Sequence, residues 1–172
     1  AGEEITLLAQ FSPSYDKGAY FTLQTDKNHH PLYREQNNSR ADNREWTLQA
    51  DYIYPLNVQG KYILESGVKA INRKVTNTYT VWAIEEPPPA ALTLQPDRSD
   101  RFHYRQRVWA GYVMMKGRWQ QHWYIEAGAR LEQTAVEGSF DAAGTHFTNR
   151  FTNFVPTVTL TKTIGGIHSF TL

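Results

Sequence analysis

The chain has no cysteine in its 172 residues. That absence removes disulfides, thiolate metal sites and cysteine nucleophiles together. There is also no apolar run near the roughly 20 residues that a membrane-crossing helix needs. Nor is there a charge excess. Eighteen basic and 17 acidic residues leave a net charge of +1, so no global field draws the chain to nucleic acid or anionic lipid. The charges are interspersed along the chain, not blocked. The opening residues, Ala1-Gly2-Glu3-Glu4-Ile5, contain neither the basic nor the apolar stretch of a leader. No Gly-rich phosphate loop or Ser-His-Asp order stands out, and no helical period rises above the background.

What the chain does have is aromatic side chains and a period of two. Aromatics make up 13% of it, with 10 Tyr and 5 Trp. The clearest stretch is 46–70. Trp46, Leu48, Ala50, Tyr52 and Tyr54 alternate with Thr47, Gln49 and Asp51. After a short break at 56–60, Tyr62, Leu64, Ser66, Val68 and Ala70 alternate with Glu65, Gly67 and Lys69. Strand side chains alternate faces, so these arms read as an antiparallel hairpin with one apolar and one polar face. A mean hydropathy of −0.59 does not argue against membrane strands, which carry their apolar residues at every second position only.

The same reading predicts a strand at 4–11 ended by Ser12-Pro13-Ser14, and a second at 19–25. A polar loop follows over 26–43, with at most a short strand at 32–36. The second arm of the hairpin continues as polar strand to Trp82, and a proline-stiffened loop runs from Glu85 to Asp100. A strand over 101–115 comes next, with Val108, Ala110, Tyr112 and Met114 on one face and Trp109, Gly111 and Val113 on the other. A tight turn at 116–118 leads to a strand at 123–134, where Ile125, Ala127, Ala129 and Leu131 oppose Tyr124, Glu126, Gly128, Arg130 and Glu132. A looser loop at 137–146 precedes a strand at 152–164, where Phe154, Pro156, Val158 and Leu160 share a face. A turn at Gly165-Gly166 opens one more strand.

Connections in this reading alternate short and long, and the apolar part of each strand adjoins the short ones. The fold class is therefore all-β, an antiparallel up-and-down meander of long strands. Short turns at one end, an apolar band and overshooting strands are the pattern of a transmembrane β-barrel segment. Tyr52, Tyr54, Tyr62, Trp119 and Trp123 fit an interfacial aromatic girdle near the short turns. Two other readings stay open on pattern alone: a soluble β-sandwich or lipocalin-like barrel binding a small apolar ligand, and a small structural or adhesive membrane barrel.

The order of motifs resembles the barrel of TonB-dependent outer-membrane receptors, in the outer membrane protein β-barrel family common in Bacteroidetes. The residues that carry the resemblance are Gln49-Ala50-Asp51-Tyr52 with Tyr54-Pro55, Glu65-Ser66-Gly67-Val68-Lys69 and Ala110-Gly111-Tyr112. Further on come Ala127 to Thr134 and Asn153-Phe154-Val155-Pro156-Thr157. The resemblance implies a place in the bacterial outer membrane and uptake of a scarce nutrient such as a siderophore or glycan. It implies no catalysis and no cofactor. The implied partners are outer-membrane lipid, the rest of the barrel, a plug domain and the TonB system, with no nucleic acid. Residues 1–172 then read as a single internal wall segment of about six or seven strands, without a plug.

Gln49, Asp51, Glu65, Lys69, Glu126, Arg130 and Glu132 are expected to face the lumen, with Gly67, Gly111 and Gly128. Leu48, Tyr52, Leu64, Val68, Tyr112, Ile125, Leu131, Val158 and Leu160 are expected to face lipid. The carboxylates read as a lumenal charge ladder and not as acid–base chemistry. Arg101, Arg105 and Arg107 share a parity with Trp109 and form a basic, aromatic strip. His29, His30, His103, His122, His146 and His168 show no metal-ligand spacing.

Overall fold

The computed structural model describes residues 2–85, 91–119, 122–164 and 168–171. Eight strands in chain order build one sheet: β1 (Glu4–Thr25), β2 (Pro31–Pro55), β3 (Tyr62–Glu85), β4 (Thr93–Leu94), β5 (Asp100–Trp119), β6 (Trp123–Phe140), β7 (Thr145–Ile164) and β8 (His168–Thr171). The order across the sheet is β1-β2-β3-β5-β6-β7-β8, every pair antiparallel, with β4 paired to β3. The result is a curled all-β meander.

The strands are longer than their alternation suggested. Ser12-Pro13-Ser14 does not end β1, which runs unbroken for 22 residues. The stretch 26–43 is not a loop. Only 26–30 turns, and Arg34 to Asn43 pair residue by residue with Leu23 to Ser14. Likewise 116–118 is strand, with Lys116 opposite Glu126 and Gly117 opposite Ile125, and the loop at 137–146 shrinks to 141–144. Polar residues on both faces carry no period-two signal, yet paired neighbours hold them extended all the same. Two expected connections, the prolines 87–89 and the Gly165-Gly166 turn, lie outside the described residues.

Register fixes the faces. Directly paired residues point the same way, so the pairs Thr6–Asp51, Asp51–Gly67, Gly67–Tyr112, Tyr112–Arg130 and Arg130–Val155 trace one row on one face. The row beside it, Leu7, Ala50, Val68, Gly111, Leu131 and Phe154, points to the other face.

Burial identifies the inside of the curl, where side chains converge and shield one another. Val81, Ala83, Val108 and Ala110 are the buried apolar residues among those described, and Asn37, Thr47 and Thr134 the buried polar ones. All seven lie on the face of Asp51 and Tyr112, which is the concave one. The accessible surface is 12570 Å², where a soluble monomer of this mass would show about 8,600 Å². Among the described residues the sheet is a wall, with no core between layers.

One connection folds inward. β4 takes up the ladder where β5 leaves it, pairing Leu94 with Trp82 and Thr93 with Ala83. A single turn of 3-10 helix at Pro96–Arg98 follows. Its cap is tied to β3 by Gln95 N–H donating to the Val81 carbonyl at 2.8 Å and Val81 N–H donating to Ser99 Oγ at 3.0 Å. Val81 and Ala83 are small enough to lie beneath it, which accounts for their burial.

Candidate functional site

The candidate site is the wall itself, and its two faces differ in kind. The convex face carries an apolar belt across every long strand: Ile5 and Leu7, Leu48 and Ala50, Val68, Trp109 and Val113, Leu131, then Phe154 and Val158. The apolar side chains in this set are half or more exposed at most positions, Leu7 by 75% and Val158 by 72%. Along β5 the belt spans Trp109 to Trp119. Ten residue steps at about 3.3 Å, tilted about 45°, give a height of about 23 Å, close to the apolar band of a transmembrane barrel.

Aromatic rings bound the belt at both ends. Toward the 56–61 turn lie Tyr52 and Tyr54, stacked with centroids 6.1 Å apart, and the directly paired Trp119 and Trp123. At the opposite rim Phe11 stacks on Trp46 at 4.5 Å, with Trp109 beyond, 64% exposed. The first girdle is the one foreseen from sequence. The second was missed, although Trp46 and Trp109 each sit where an apolar run gives way to charge.

The concave face is polar and braced by ion pairs. Lys116 Nζ lies 2.8 Å from Glu65 and 3.9 Å from Glu126. Arg73 is paired to Glu45 at 2.5 Å, and Arg130 to Glu132 at 2.7 Å. Gln49 donates to Asp51 at 2.6 Å, Tyr112 to Asp51 at 2.8 Å and Tyr124 to Glu126 at 2.6 Å. Lys69 shares this face, opposite Gln49 and Ala110.

Tyr112 corrects an expectation. It does not accompany Leu48 and Val68 but stands opposite Gly67 on the face of Asp51. A Cβ at Gly67 would lie only 2.5 Å from the Tyr112 ring, so glycine is what lets the ring cross the strand. Gly111 is the reverse case. It was placed with Gly67 and instead faces outward between Val68 and Leu131. Leu48, Tyr52, Leu64, Val68, Ile125, Leu131, Val158 and Leu160 lie together on the convex face. Gln49, Asp51, Glu65, Lys69, Glu126, Arg130 and Glu132 lie together on the concave one.

Charges that alternate in sequence are sorted by the fold. Among the described strand residues, Lys17, Arg34, Arg40, Arg44, Lys74, Arg101, Arg105, Arg107 and Arg150 point outward above the belt. Asp42 and Glu137 are the carboxylates beside them. Carboxylates predominate inside, where Glu4, Asp16, Glu35, Glu45, Asp51, Glu65, Asp100, Glu126 and Glu132 outnumber Lys69, Arg73, Lys116, Arg118 and Arg130.

Beyond the belt, the inward loop is clasped to β2. Arg98 donates to Tyr33 Oη at 2.7 Å and to Glu35 Oε2 at 2.6 Å, and Asn37 donates to Glu35 Oε1 at 2.6 Å. The Tyr33 hydroxyl also donates to Glu35. These bonds, Tyr33 first, hold the Glu35 carboxyl down to about 2. Donation from the His30 backbone N–H lowers Asp26 in the 26–30 turn. The Ala142 N–H lowers Asp100 in the same way, tying β5 to the 141–144 turn.

An exposed apolar belt with an aromatic rim at each end, backed by a polar concavity, is what a barrel wall in a bilayer presents. The family model for the outer membrane protein beta-barrel family matches residues 1–172. The chain belongs to that family. It is accordingly a protein of the bacterial outer membrane. Solved structures of similar fold include the ferric citrate transporter FecA in its unliganded form, at TM-score 0.59 and 12% identity over 94% of this chain. The siderophore receptor PiuA from Acinetobacter baumannii aligns at TM-score 0.58 and 13% identity, again over 94% of the chain. At such identities the likeness is one of fold. The family segment described here spans 23% of the first and 28% of the second. No curated protein matches the chain.

Proposed function

We propose that the 172 residues are one continuous stretch of the membrane-spanning wall of a TonB-dependent receptor that imports a scarce nutrient such as a siderophore or glycan. The observation that carries this reading is the sorting of the two faces. The convex belt is apolar and bounded by rings, as lipid requires. The concave face is lined by paired charges, as a lumen filled by water or a plug domain requires. The fold shared with a ferric citrate transporter and a siderophore receptor supports it further.

In this reading Leu48, Tyr52, Leu64, Val68, Ile125, Leu131, Val158 and Leu160 meet lipid. Gln49, Asp51, Glu65, Lys69, Glu126, Arg130 and Glu132 line the lumen, together with Tyr112. The wall performs no catalysis and holds no cofactor. Further strands complete the barrel, a plug occupies it, and TonB supplies energy to the plug.

Uptake tests the proposal. Cells deleted for the gene encoding this chain should lose energy-dependent accumulation of one labelled ligand from a panel of ferric siderophores and oligosaccharides. Cells deleted for TonB should lose the same ligand. Accumulation of the whole panel unchanged in both strains would contradict it.

A further inference from the structure

Just above the belt the convex wall is basic in a particular arrangement. Arg44, Lys74 and Arg105 stand directly opposite one another on β2, β3 and β5. Neighbouring strands are about 4.8 Å apart, and like charges placed directly opposite are destabilising unless something lies between them. The nearest carboxylate on the same row is Glu137, opposite Arg105. That carboxylate is already bound by Arg107. Arg44 is occupied by Asp42 at 2.9 Å. Lys74 and Arg105 have no carboxylate partner among the described residues, and both are exposed. They border a shallow cavity together with Thr76, His103, Glu137 and His146.

We infer that this pair, flanked by Arg107 and Arg150, binds the phosphate of an anionic lipid headgroup in the leaflet that covers this rim of the belt. Three features point to lipid as the source of the anion. The cavity continues the membrane-contacting surface, since Lys74 lies four residues along β3 from Ala70 and Arg105 four along β5 from Trp109. At that depth, about 10 Å above the belt, the headgroups lie. The face is also sorted: carboxylates dominate the concave side, so the outward positive charge is not a by-product of overall composition. A guanidinium and an ammonium offer a phosphate several charge-assisted donors at once.

The test uses the complete receptor that contains this chain, reconstituted in nanodiscs of phosphatidylcholine with a minor fraction of phosphatidic acid. Native mass spectrometry counts the lipids retained on the protein. The wild type should retain phosphatidic acid over phosphatidylcholine. Lys74→Gln/Arg105→Gln should weaken retention about thirtyfold, about fivefold for each side chain. Arg118→Gln, the charge change of one single variant made on the concave face, should leave retention unchanged. Added inorganic phosphate should not displace the lipid. If the double variant does not assemble, each single variant should still show its fivefold loss, and the charge-keeping Lys74→Arg should not. No preference for phosphatidic acid in the wild type, equal loss in Arg118→Gln, or displacement by inorganic phosphate would each overturn the inference.

Discussion

The ring of Tyr112 lies across Gly67, and its hydroxyl donates to Asp51 Oδ1 at 2.8 Å on the far side. Three adjacent strands are thereby joined on the concave face by one side chain. Tyr62 makes the same use of Gly117 on the convex face, where a Cβ would come within 2.9 Å of the ring. A ring covering a glycine restores the packing that the glycine gives up.

Gly67→Ala should therefore cost more than a strand glycine replacement normally does, because the added methyl displaces the ring. A loss of about 1–3 kcal/mol is expected for such overpacking, read from urea unfolding of the reconstituted protein. Tyr112→Phe keeps the ring and removes only the bond to Asp51, so a smaller loss of about 1–2 kcal/mol is expected. A Gly67→Ala variant as stable as the wild type would show that the ring does not need the space.

The belt should tolerate charge on one face only. Val68→Arg places a guanidinium in the apolar belt and should destabilise insertion by about 2–4 kcal/mol if it sits near the bilayer centre. Gln49→Arg, on the neighbouring strand but the opposite face, should change stability by about 0.5 kcal/mol or less. Folding titrations into phosphatidylcholine vesicles distinguish the two.

Acid should release the inward loop late. The Glu35 carboxyl falls from an ordinary value near 4.5 to about 2 on making its bonds to Tyr33, Asn37 and Arg98. A carboxyl depressed by folding stabilises the folded form above its free value, and that stabilisation fades as pH drops toward the folded one. Amide protection at Val81 and Gln95 should hold from neutral pH to about 4.5 and then decline toward 2. Glu35→Gln should show weaker protection at neutral pH and no decline in that window. Hydrogen exchange, corrected for its intrinsic pH dependence, reads both.

Much of this wall was legible because a bilayer imposes a period of two on whatever crosses it. The hairpin of Trp46 to Ala70 has one apolar parity and one polar parity, so its faces could be assigned before any contact was known. β5 could not be read that way. Val108, Ala110 and Met114 are as apolar as Trp109, Val113 and Met115, and only the pairing with Gly67 and Lys69 shows which way Tyr112 turns. The overshooting strands were misjudged for a related reason. From Arg34 to Asn43 both faces are polar and Asn-rich, a composition that marks loops in isolation. It becomes strand once β1 and β3 supply ladders on either side. Gly117 between two basic residues likewise imitates a turn, whereas its lack of a side chain accommodates Tyr62. Charge sorting was hidden altogether, since it appears only when each residue is assigned to a face.

The central claim is that the convex face meets lipid and the concave face does not. The chain's lack of cysteine makes it well suited to single-cysteine spin labelling of the reconstituted protein. Labels at Leu48, Val68, Leu131 and Val158 should be accessible to oxygen dissolved in the bilayer and shielded from a water-soluble nickel chelate. Labels at Gln49, Lys69, Tyr112 and Arg130 should show the opposite preference or be shielded from both. Lipid-like accessibility at Tyr112 together with Gln49, or no alternation between Leu48 and Gln49, would contradict the account.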